Sequence, residues 1–63
     1  MTREQFNKLK PNAEVQYEDE ATGRRYRFTG PFVLFTFRGA DWIHGVGLGS
    51  GLTIGGALSG CST

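Results

Sequence analysis

The chain has little with which to cross-link itself. Its 63 residues include one cysteine, Cys61, and one histidine, His44. One cysteine excludes an internal disulfide, and one Cys with one His is too few for a structural zinc site. No metal and no cofactor is therefore expected. Charge is scarce as well. The net charge is +1, from seven basic and six acidic side chains, so there is no strong pull toward nucleic acid or an anionic membrane. No Asp, Glu, Lys or Arg follows Asp41. No apolar stretch follows Arg3, Glu4, Lys8 and Lys10, so the N-terminus does not read as a secretory signal. With one lone thiol, the expected compartment is the reducing cytoplasm or the interior of a viral or host-cell assembly.

What is present is enough for one small core: five Phe, two Tyr and one Trp, with several Val, Leu and Ile. A chain this short buries only about 60% of its unfolded surface and is marginal alone. Without disulfide or metal it relies on oligomerisation, a larger assembly or close packing.

The first segment, residues 1–11, reads as a helical turn. Thr2-Arg3-Glu4-Gln5 fits a capping box, and Met1 and Phe6 fall at the staple positions. Pro11 disfavours helix at Lys10, which predicts a helix over about residues 3–9 that lids the core. Residues 12–54 read as a β domain. Val15 and Tyr17 alternate with polar residues, as do Tyr26 and Phe28, around a turn at Glu20–Gly23. The hairpin this predicts pairs Tyr17 with Tyr26 and Val15 with Phe28 on one face, and Glu18 with Arg25 and Gln16 with Arg27 on the other. Gly30-Pro31 reads as a break. Phe32–Phe37, Trp42–Leu48 and Leu52–Ile54 read as further strands, with Val33, Phe35 and Phe37 filling the core. Residues 55–63 read as a Gly-rich C-terminal end, one option for which is a flexible tail.

The expected fold is mainly β: a small antiparallel barrel or bent sheet of about five short strands with a short N-terminal helix. The opening Phe6-Asn7-Lys8-Leu9-Lys10-Pro11-Asn12-Ala13-Glu14-Val15 is similar to the lead into SH3-like barrels. That resemblance covers about ten residues and implies fold alone.

From Gly45 to Gly51 every second residue is glycine. The spacing puts glycine on one strand face, where another backbone can come close. A bent strand relieved by glycine explains Gly45 and Gly47 equally well. Gly49 and Gly51 exceed what one bend requires and favour an interface. The reading as a dinucleotide fingerprint fails, because Gly47-Leu48-Gly49-Ser50-Gly51 lacks the final glycine spacing and a following helix signal.

No catalytic constellation is visible. His44 beside Trp42 and Asp41 has no second carboxylate or nucleophile to complete an acid–base site, so the chain does not read as an enzyme. The expected function is protein–protein association, by an assembly subunit or a phage- or mobile-element-type accessory protein that docks on a target. The partner is another protein or a second copy, and the contact set is Phe32, Leu34, Trp42, His44, Gly47, Leu48, Gly49 and Gly51. One alternative is a small-barrel nucleic-acid binder using Lys8, Lys10, Arg27 and Arg38. Another is a membrane-active Gly-rich tail. A spanning helix is disfavoured there, since each glycine costs about 0.8–1.0 kcal/mol of helix propensity relative to alanine.

Overall fold

A computed structural model describes residues 1–63 of the chain. A helix α1 spans Arg3–Asn7, followed by strands β1 (Glu14–Glu18), β2 (Arg25–Phe37), β3 (Ala40–Gly47) and β4 (Thr53–Ala57). A 3-10 turn, Leu58–Gly60, then leads to β5 (Cys61–Ser62). The strands form one antiparallel sheet in the order β4-β3-β2-β1-β5.

The sheet is not closed into a barrel. β4 and β5 are its two edges, and only the 3-10 turn connects them. It curls toward closure nonetheless. The Tyr17 ring of β1 lies where a Cβ on Gly56 of β4, or on Gly60, would stand. These two glycines are thus spaces into which a tyrosine packs.

The capping box forms as the sequence predicts. Thr2 Oγ1 accepts from Gln5 N at 3.1 Å, and Gln5 Oε1 accepts from Thr2 N at 2.8 Å. The helix ends at Asn7, two residues earlier than expected, with Lys8 as its C-cap. Met1, Phe6 and Leu9 pack against the core, so α1 does act as a lid. The Arg3 guanidinium ties it to β3, with Nε 2.8 Å and Nη2 2.6 Å from the Asp41 carboxylate.

The β1–β2 hairpin has the register that the alternation predicts: Val15 opposite Phe28, Gln16 opposite Arg27, Tyr17 opposite Tyr26, Glu18 opposite Arg25. Beyond it the expectation changes. Gly30-Pro31 does not end a strand; β2 runs straight through it as a bulge. Thr29 pairs with Val46 and Val33 with His44, so Gly30, Pro31 and Phe32 stand against Gly45 alone. Proline is tolerated because a bulge leaves a backbone position without a ladder bond to donate. Gly30 N donates to Pro11 O at 3.0 Å, and a Cβ on Gly30 would collide with that same carbonyl.

The bulge adds two residues to β2, an even number, so the inside–outside alternation that begins at Phe28 continues across it. Phe32 and Leu34 point inward and pack against the core, while Val33, Phe35 and Phe37 point outward. This reverses the expected assignment of the two sets. The inner face holds Val15, Phe28, Ile43, Leu58 and Cys61 as its buried centre. Phe28 and Phe32 meet edge to face with ring centres 6.0 Å apart. Residues 55–62 are the second half of β4, the 3-10 turn and β5, with Leu58 and Cys61 in the core, so this stretch is not a free tail.

Candidate functional site

Two kinds of surface share the outer side of the sheet. Over β1 and the first half of β2 the outward positions are Glu14, Gln16 and Glu18 opposite Thr29, Arg27 and Arg25. Their charges close on one another: Arg27 to Glu14 at 3.2 Å and Arg25 to Glu18 at 3.9 Å. Over the second half of β2, β3 and β4, register and alternation place Val33, Phe35 and Phe37 beside Ala40, Trp42, His44 and Val46, then Thr53, Gly55 and Ala57. None of these outward positions carries Asp, Glu, Lys or Arg.

This uncharged area is the candidate site. Val33 is 47% exposed, Phe35 42% and Phe37 54%, although each is a large apolar side chain on a central strand. Around them Trp42, His44 and Val46 are half-buried. The Phe35 and His44 rings lie 5.5 Å apart. Trp42 Nε1 donates to Phe37 O at 3.1 Å, which fixes the indole across the β2–β3 turn. Arg38 sits over the Phe37 ring at 5.2 Å, at the rim of the area. A shallow depression of about 280 Å³ opens between Phe35, Trp42, His44, Thr53 and Gly55. Beside it β4 is a bare sheet edge: Thr53-Ile54-Gly55-Gly56-Ala57 has neither charge nor proline, and no strand pairs with its far side. Natural edges are commonly blocked by those residues. Face and edge form one continuous surface.

The contact residues expected from sequence divide among three places. Trp42 and His44 lie on this outer face. Phe32 and Leu34 lie on the opposite, inner face. Gly47, Leu48, Gly49 and Gly51 lie at or in the β3–β4 turn. Gly47 is buried, and its N donates to Leu52 O at 2.7 Å. Gly49 and Gly51 have φ of 84° and 69°, with open space where a Cβ would stand. Backbone conformation alone accounts for glycine at these two positions, without a close neighbour. Gly45 is buried, and a Cβ there would meet the Thr29 carbonyl and the Phe28 and Phe32 rings under the bulge. Sequence reading missed Val33, Phe35, Phe37, Val46 and Gly55 as one surface. The signal that finds them is the parity set by Phe28.

The basic residues do not form a free stripe. Arg27, expected to be unpaired, is bound to Glu14, and Lys8 lies 3.7 Å from Glu4. Arg38 lies over Phe37, which leaves Lys10 as the only member of the Lys8, Lys10, Arg27, Arg38 set without a partner.

The titrating groups that are displaced serve structure. Hydrogen bonds from Arg3 hold the Asp41 carboxyl below the usual carboxylate range, and the same bonds raise Arg3. Burial pushes the Cys61 thiol up, away from the reactive thiolate. No group of three or more His, Cys, Asp or Glu side chains stands close enough to hold a metal. No helix is long and apolar enough to cross a membrane. No family model, curated protein or solved structure matches the chain.

Proposed function

We propose that this protein is a non-enzymatic association module, which works by burying the outer face of β2, β3 and β4 in another protein surface. One observation carries the reading: Val33, Phe35 and Phe37 stand about half-exposed on a face without a charged side chain. Contiguous exposed apolar area of this kind marks interaction sites in soluble proteins. The bare β4 edge supports the same reading, because a strand edge beside an apolar face offers backbone hydrogen bonds as well as burial. An assembly subunit and a phage- or mobile-element-type accessory protein both fit this mode of action. We also read the sheet, curled until Tyr17 meets Gly56, as an SH3-like small barrel left open between β4 and β5.

The test is co-purification of the tagged full chain from its own source, comparing wild type with Val33→Lys and Phe35→Glu. Circular dichroism verifies that the variants are folded. The proposal expects the wild type in a complex of defined composition, with that complex lost from both variants. Complexes that survive unchanged in folded variants contradict it, and so does a wild type that enters no complex, with itself or with another protein.

A further inference from the structure

We infer that the surface covering the outer β2–β3–β4 face is a second copy of this chain, docked face to face about a two-fold axis. The inference rests on the association reading above and names its partner.

The area of the isolated chain is the first argument. A folded monomer of 6.9 kDa exposes about 4,000 Å² by the usual scaling of surface with mass. This chain exposes 4521 Å², an excess of roughly 500 Å². Two copies that each hide such an excess bury about 1,000 Å² together, the lower bound for a specific interface. Of the six large exposed apolar side chains, Val33, Phe35 and Phe37 lie together on the outer face, while Tyr26 is on the inner side and Leu48 and Leu52 are in the β3–β4 turn.

Permanence is the second argument. With no disulfide, no metal cluster and only five buried apolar residues, the fold gains most from a partner that is always present. A sister chain meets that condition at every site of synthesis, and two-fold pairs are the commonest form of association.

Charge is the third. An isologous contact sets a surface against itself, so any net charge on it would repel. The outward strand positions of β2–β3–β4 have none, and Arg38, stacked on the Phe37 ring, is the one charge at their rim. The neighbouring β1–β2 area carries Glu14, Glu18, Arg25 and Arg27 in neutral pairs, so overlap on that side brings no uncompensated sign. A foreign target that is charged would lose hydration against this face with no ion pair in return. A copy of itself matches it.

The shape fits as well. Sheets stack about 10 Å apart, with side chains interdigitating between them. The shallow depression beside Phe35, between Trp42, His44, Thr53 and Gly55, leaves room for a facing side chain.

The decisive experiment is sedimentation equilibrium of the full chain from micromolar to millimolar concentration. The expected mass rises from 6.9 kDa to twice that value. Phe35→Glu and Val33→Lys, folded by circular dichroism, stay at the lower mass, with dimerisation weakened at least about a hundredfold. A second measurement needs no variant: isotope-filtered NOE spectra of mixed labelled and unlabelled wild type. The inference expects contacts between copies from the Phe35 and Trp42 rings. Contacts confined to the β4 edge overturn the face-to-face arrangement. A wild type that stays monomeric while its Val33 and Phe35 variants lose a foreign partner overturns the inference and leaves the association reading standing. A monomer whose variants lose nothing ends both.

Discussion

Two neighbouring halves of the same sheet surface are built in opposite ways. Over the β1–β2 hairpin, outward positions alternate in charge and close in pairs, Glu14 with Arg27 and Glu18 with Arg25. Over β2–β3–β4, outward positions are aromatic, β-branched or small. Water satisfies the first half. The second leaves large apolar groups about half wet, at about 25 cal/mol for each Å² that a partner could cover. Inside, one continuous core supports both. On the association reading, the polar half meets water and the apolar half meets a partner.

The largest effect that tests this contrast is on association. Phe35→Glu would place an unpaired carboxylate in the buried centre of a contact. That costs about 3 kcal/mol or more, over a hundredfold in affinity. Gln16→Glu adds the same charge to the polar half, and self-association measured by sedimentation should change less than about twofold. Equal losses from the two variants would erase the distinction between the halves.

Next in size is the packing under the bulge, which orients Val33 and Phe35 outward. Gly45→Val drives atoms into the Thr29 carbonyl and the Phe28 and Phe32 rings. Overpacking of this kind costs about 1–3 kcal/mol, to be read from urea denaturation. Gly49→Ala meets open space but a φ of 84°, so backbone strain alone should cost about 1 kcal/mol.

Acid should act through Asp41, where Arg3 lowers the carboxyl in the folded state. A depressed carboxylate contributes stability above its unfolded value, near 3.9, and loses it as pH falls through the folded value. In Asp41→Asn this part of the acid sensitivity should vanish, and α1 amides should exchange faster at neutral pH. The smallest effects belong to the charge pairs. Glu14→Gln and Glu18→Gln should each cost under about 1 kcal/mol in thermal unfolding, and less at high salt.

Much of the fold was legible because local chemistry and global register agree. The capping box and the hairpin pairing of Val15 with Phe28 need only neighbours to be specified. Gly30-Pro31 misled because proline and glycine signal a turn, and only the tertiary context, Pro11 crossing Gly30 and Gly45 opposite the bulge, makes them a bulge within one long strand. Restarting the alternation at Phe32 then put Val33, Phe35 and Phe37 inside. Trp42 and His44 could be read as surface residues, but the phenylalanines beside them could not. The glycine run had the opposite difficulty. Gly49 and Gly51 suggested a neighbour from their spacing, while their conformation shows a turn. Residues 55–62 lacked signal because β4 and β5 are held by pairing to distant strands, not by local propensity.

The account is tested most directly by hydroxyl-radical footprinting across a concentration series. Phe35 and Tyr26 are exposed alike, 42% and 40%, on opposite sides of the sheet. If the outer β2–β3–β4 face is covered by a sister chain, oxidation of Phe35 and Trp42 falls several-fold as concentration rises, while Tyr26 stays constant. A Phe35 oxidation rate that, like that of Tyr26, does not change with concentration would contradict it.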